Sequence, residues 1–106
     1  MNLDLSGKCA IVGGASQGIG YGIAHLLASE GARVAITARR EKDLHAAAEK
    51  MAAETGAEIL PVQADCRQAA DCERVGGSVI GGFGRVDILV NNDGAPPLGD
   101  LVELTR

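Results

Sequence analysis

Four short apolar runs, "KCAIVG", "ARVAITA", "EILPVQAD" and "RVDILVNN", recur along the chain, separated by stretches with a different rhythm. Runs of that length, rich in Val, Ile and Ala and lacking polar alternation, predict strands buried on both faces. In the intervening "IGYGIAHLLASEG", Ile19, Ile23, Leu26 and Leu27 return at helical spacing, and Gly31 stands where a helix ends. "EKDLHAAAEKMAAETG" puts Leu44, Ala47, Ala48 and Met51 on one stripe, with Gly56 as the stop. "QAADCERVGGSVIGGFG" carries Cys72, Val75, Val79 and Phe83 at spacings of three and four. Its Gly76, Gly77, Gly81 and Gly82 each cost roughly 1 kcal/mol relative to alanine, so this third helix needs tertiary contacts to hold it.

The order is therefore β-α-β-α-β-α-β. Strands alternating with helices predict a parallel sheet with right-handed crossovers. The fold class is α/β, a Rossmann-type doubly wound parallel sheet represented by its N-terminal half, with strand order 3-2-1-4. Residues 1–106 form one domain, since no linker or repeat divides them. Pro61 donates no ladder hydrogen bond and places strand 3 at a sheet edge. Strand 4, apolar along "ILV", stands at the other edge and is open to self-association.

"IVGGASQGIG" places Gly13, Gly14, Gly18 and Gly20 where strand 1 hands over to the first helix. Ligands of such sheets bind beyond the carboxyl ends of the strands where strand order reverses, which is beside strand 1. Glycines there permit a tight turn and close approach of backbone to a pyrophosphate, and the helix N-terminus offers free N–H groups. Ser16 and Gln17 add side-chain donors. The spacing is G-x-x-x-G-x-G over Gly14, Gly18 and Gly20; a G-x-G-x-x-G fails because residue 23 is Ile23, and no G-x-x-x-x-G-K-[ST] is present.

Composition narrows the class. A net charge of −4 without a basic stripe argues against nucleic acid as a partner. Hydrophobic content of 46 % with 23 % charged residues describes a globular chain rather than a disordered one. Cys9, Cys66 and Cys72 match neither C-x-x-C nor a metal spacing and read as reduced thiols. The stretch from Cys9 to Ser29 has no formal charge, but it holds five glycines and is interrupted by Ser16, Gln17 and His25. No membrane span is expected from it, and "MNLDLSGK" lacks the basic start of a signal peptide, so a cytoplasmic protein is expected.

"GGASQGIG" resembles the T-G-x-x-x-G-I-G loop of the short-chain dehydrogenases/reductases, with Gly13 where Thr is usual. "VDILVNNDG" resembles that family's D-x-L-V-N-N-A-G segment, with Asp93 where Ala is usual. The resemblance runs from about Leu5 to Arg106. It implies a carbonyl or alcohol oxidoreductase working by hydride transfer with a nicotinamide dinucleotide. It further implies cofactor contacts from Gly14, Ser16, Gln17, Gly18, Ile19 and Gly20, from Asp65 and Cys66 after strand 3, and from Asn91, Asn92, Asp93 and Gly94 after strand 4. Asp93 puts a negative charge beside a polyanion and is expected to weaken binding. The tail "PPLGDLVELT" is similar to bacterial members of the 3-oxoacyl carrier-protein reductase type.

The end of strand 2 bears on which cofactor. An NAD enzyme places Asp or Glu there for the ribose hydroxyls, whereas this chain reads Ala38-Arg39-Arg40. Arg39 offers a planar fork suited to a 2′-phosphate, which Arg40 could share, so NADP is expected over NAD. The family's chemistry implies a tyrosine acid with a lysine four residues on, and no Y-x-x-x-K occurs here. Tyr21, the one tyrosine, has His25 at that spacing and reads as a helix-face residue; His25 and His45 read as surface histidines without partners. No catalytic residue and no metal ligand is assigned. By resemblance the family continues with further strands and a substrate loop, so the chain is expected to be a truncated cofactor-binding half, catalytically inactive alone. The alternatives are a non-catalytic nucleotide-binding module, an inactive drifted fragment and, more distantly, a methyltransferase.

Overall fold

The computed structural model describes residues 4–65, 68–91 and 102–104, the strand residues Asn91 and 102–104 by their backbone pairing. Its elements are β1 (Cys9–Gly13), α1 (Gly18–Ser29), β2 (Arg33–Ala38), α2 (Glu41–Thr55), β3 (Ile59–Gln63), α3 (Ala69–Phe83), β4 (Ile88–Asn91) and β5 (Val102–Leu104). The sheet order is β3-β2-β1-β4-β5. β1 pairs in parallel with β2 and β4, and β2 with β3. The expected order 3-2-1-4 is present, with Pro61 on the edge strand opposite Ile36.

The expected open edge at strand 4 is not. β5 pairs antiparallel with β4, Val90 opposite Val102 and Ile88 opposite Leu104, so the backbone groups proposed for self-association are engaged within the chain. Pairing with a further strand removes the unpaired backbone groups that a second molecule would otherwise use.

Strand periodicity sorts the core into two layers, because successive side chains leave opposite faces of a sheet. Ala10, Val12, Val34, Ile36, Ala38, Ile88 and Val90 face α1 and α2, together with Leu44, Ala47, Ala48 and Met51 from the stripe read in the sequence. Cys9, Ile11, Ala35 and Val62 face α3, where Val75, Val79 and Phe83 are buried. Those three side chains are the contacts that hold the glycine-rich helix, and α3 runs unbroken from Ala69 to Phe83.

Helix α1 buries a face other than the expected one. Ile19 is 74 % exposed and Leu26 41 %, while Gly20, Ala24 and Ala28 are buried. These three positions are spaced by four residues and carry only glycine or alanine. Small residues bring α1 close to β1, and the larger Ile23 and Leu27 reach only the margin of the core.

Asp87 joins β1 to β4 at the end remote from the glycine loop. Its Oδ2 accepts the Cys9 N–H at 2.9 Å, its own N–H donates to the Cys9 carbonyl at 2.8 Å, and Arg85 Nε donates to Oδ1 at 3.0 Å. The side chain is 3 % exposed and fully engaged. Hydrogen bonds from Arg85 hold the carboxyl below the usual carboxylate range, against the opposing effect of burial; the Cys9 N–H adds to the lowering. A depressed folded value contributes stability above the unfolded value near 3.9, and that contribution is lost as pH falls through the folded one. Asp87→Ala strands the Cys9 N–H and should cost about 1–3 kcal/mol at neutral pH. Urea unfolding should show that deficit shrinking once the pH drops well below 4, and a constant deficit would refute the charge-based account.

Candidate functional site

The carboxyl ends of β1, β2 and β3 lie side by side, and the loops leaving them gather most of the residues singled out in the sequence. Between β1 and α1 the chain turns through Gly14 (φ 63°) and Gly18 (φ 64°), a left-handed region that side chains rarely enter. The loop is anchored to the next strand by the Ala15 N–H on the Thr37 carbonyl at 2.9 Å. Gln17 occupies the N-cap of α1 without a side-chain capping bond, and no acid stands in the first turn. The opening N–H groups of α1 and its positive dipole end are therefore presented at the loop with no carboxylate from the helix's own first turn against them. Ile19 stands exposed beside them.

Arg39 and Arg40 follow directly on β2. Gln63 Nε2 donates to the Arg39 carbonyl at 2.9 Å, and the Ala64 N–H donates to the Ala38 carbonyl at 3.1 Å, so the backbone under both arginines is fixed by β3. Their side chains are exposed and make no hydrogen bond or ion pair among the described residues. Ser16, Gln17, Ala38, Arg39, Arg40 and Asp43 line one cavity of about 200 Å³. An adjoining groove of about 460 Å³ runs between α1 and α2, lined by Ser16, Gln17, Gly18, Tyr21, Asp43, Ala46, Ala47 and Lys50.

Asp65 lies past the end of β3, its N–H donating to Asp71 Oδ2 at 2.8 Å and its carbonyl accepting from Gln68 at 2.9 Å. Asn91 closes β4 in register with Gly13. The structure thus brings Gly14, Ser16, Gln17, Gly18, Ile19, Gly20, Arg39, Arg40, Asp65 and the backbone of Asn91 to one end of the sheet. Cys66, Asn92, Asp93 and Gly94 lie outside the described residues.

Two side chains here were missed in the sequence. Asp43 lines both cavities, and the available signal was its position three residues after Arg40, the N-cap of α2, which returns it to the same side of the helix. Asp71 closes the loop after β3 from the corresponding position in α3. The histidines also need correction. His25 Nε2 lies 3.1 Å from Glu54 Oε1, which accepts from the Tyr21 hydroxyl at 3.2 Å, and Ser29 Oγ is 3.4 Å from His25 Nδ1. His45 lies 3.6 Å from Glu41 on the next turn. Tyr21 is a helix-face residue as expected, and burial followed by its bond to Glu54 raises the phenol pKa, opposite to what a proton donor at neutral pH requires.

Among the described residues no group of His, Cys, Asp and Glu could hold a metal ion, and no helix is long and apolar enough to cross a membrane. Cys9 and Cys72 are not joined in a disulfide.

A glycine-turned helix start beside a reversal of strand order is the place where proteins of the doubly wound class bind their ligands. A model of the short-chain dehydrogenase family matches residues 8–106, and the chain belongs to that family. 1,6-Dihydroxycyclohexa-2,4-diene-1-carboxylate dehydrogenase of Pseudomonas putida is 42 % identical over 94 residues, which cover 89 % of this chain and 34 % of that protein. L-sorbose reductase from Gluconobacter frateurii, complexed with NADPH and L-sorbose, is similar in structure with a TM-score of 0.84 at 40 % identity, over 89 % of this chain and 36 % of the reductase. A metagenomic short-chain oxidoreductase in complex with NADP gives 0.75 at 39 % identity, over 82 % and 39 % of the two chains. The chain spans about a third of the length of these relatives.

Proposed function

We propose that this chain is the cofactor-binding part of an NADP-dependent short-chain reductase that interconverts carbonyl and hydroxyl groups. The observation that carries the cofactor preference is the pair of guanidinium groups of Arg39 and Arg40, which line one small cavity beside the glycine loop and have no partner among the described residues. A 2′-phosphate placed there gains charge-assisted hydrogen bonds that a ribose hydroxyl does not offer. The N–H groups that open α1 receive the pyrophosphate, and Gly14 and Gly18 keep side chains out of its way. Ile19 supplies an apolar surface, and Asp65, Cys66 and the segment Asn91 to Gly94 complete the contacts. The NADPH and NADP carried by the similar reductases support the same reading.

Bound NADPH supplies a hydride to the carbonyl carbon. Proton delivery to the oxygen is the task of a tyrosine held near neutrality by a lysine four residues on, and the 106 residues contain no such pair. We therefore infer that this chain alone binds cofactor without turnover. Calorimetric titration should give saturable binding of NADPH and binding of NADH at least about tenfold weaker, one charge-assisted contact being worth about 1.5–3 kcal/mol. Equal affinities, or tighter NADH, would remove the phosphate-binding role from the arginines. Carbonyl reduction by the purified chain would overturn the inferred lack of turnover.

A further inference from the structure

The cavity that holds the two arginines also holds a carboxylate. Asp43 lines it from the first turn of α2 and, with Ser16 and Gln17, also lines the neighbouring groove, so it forms part of the wall between the two spaces. Like Arg39 and Arg40 it is exposed, and no described residue gives its side chain a hydrogen bond or an ion pair. Two positive charges and one negative therefore face the same small space without being tied to one another.

We propose that Asp43 is a specificity-determining residue: its charge opposes a 2′-phosphate bound by Arg39 and Arg40, so cofactor preference is set by all three side chains. This rests on the NADP reading above. A compact space of about 200 Å³ is roughly 6 Å across, its cube root, and at that separation Coulomb's law in water's dielectric gives about a threefold change in affinity per pair of unit charges. A 2′-phosphate carries more than one charge at neutral pH, which raises the effect toward tenfold at low salt; screening brings it back toward threefold near physiological ionic strength. A ribose hydroxyl carries no charge and is not opposed. The acid has a separate reason to be in the first turn of α2, because it complements the helix dipole there. That structural role predicts an effect on stability and none on phosphate discrimination.

The probes are 2′,5′-ADP and 5′-AMP, which differ only in the 2′-phosphate, titrated against the native chain and Asp43→Asn at low and near-physiological salt. Asp43→Asn should tighten 2′,5′-ADP about three- to tenfold at low salt while 5′-AMP stays within about twofold, and the gain should shrink as salt rises. Asp43→Ser, a second neutral replacement, should give the same shift and guards against a folding defect in the asparagine variant. If the native chain prefers 2′,5′-ADP but neither variant tightens it, Asp43 is not a determinant and the role of the arginines stands. If the native chain binds both probes equally, the NADP reading fails and the proposal falls with it.

Discussion

Replacing Arg39 and Arg40 together by alanine should weaken NADPH binding by on the order of a hundredfold and leave NADH within about twofold. Each charge-assisted hydrogen bond is worth about 1.5–3 kcal/mol, and partial solvation of both arginines brings the pair down to about twice the lower figure. The discrimination between cofactors is the informative quantity. Loss of binding energy shared by both dinucleotides would mean that the arginines steer any polyanion toward the site, a rate effect that disappears with salt. Loss confined to NADPH places the 2′-phosphate between them. The substitution should be silent for stability, within about 0.5 kcal/mol, because both side chains are exposed and neither has a described partner. Calorimetry with both cofactors, accompanied by urea unfolding of the same preparation, separates these outcomes. An unchanged NADPH affinity would move the phosphate contact away from the end of β2.

Much of the architecture was legible because local signals agreed with one another. Apolar runs, helical stripes and glycine stops alternate without conflict, and Pro61 marked the edge strand correctly. Where side-chain size mattered more than polarity, the sequence misled. Ile19 and Leu26 suggested a buried stripe, but close packing of α1 on β1 requires Gly20, Ala24 and Ala28 there instead. Strand β5 was not legible either, since three residues carry too little periodicity to distinguish strand from the start of a helix. Most of "PPLGDLVELT", which suggested the carrier-protein type, lies outside the described residues.

The site divides in the same way. The glycine loop and the arginines could be read because each is a local motif with a fixed relation to a strand end. Asp43 could not be ranked above the other acids of α2 until α1 and α2 were placed side by side, because lining a cavity between two helices is a tertiary property. Asp87 and the Tyr21, His25 and Glu54 cluster are similar cases, with partners 78 and 33 residues away for the bonds from Cys9 and Tyr21. Sequence spacing says nothing about such pairs.

Ile36→Ala is the core substitution with the widest expected consequence. The side-chain layer between the sheet and the helices α1 and α2 is built largely of alanine, so Val12, Val34, Ile36, Leu44 and Met51 supply most of its bulk and all five are fully buried. Ile36 lies on β2, in register with Val12 of β1 on one side and Pro61 of β3 on the other. Truncation there leaves a cavity in an interior whose alanine neighbours have no side chain to spare for filling it, and about 3–4 kcal/mol is expected within the usual range of 2–5. Against a total of about 5–15 kcal/mol for a domain, that loss brings the chain close to unfolding. Function should respond through the same strand. Thr37, next in sequence, accepts the bond that anchors the glycine loop, and Arg39 follows two residues later. At low temperature, where the variant remains folded, NADPH and NADH affinities should fall by similar factors, since the loop that serves both has lost its support. Saturating NADPH should in turn raise the urea midpoint of the variant by mass action. A loss of stability below about 1 kcal/mol would show that α1 and α2 settle into the vacated space, and that this alanine-rich layer is more deformable than its complete burial implies.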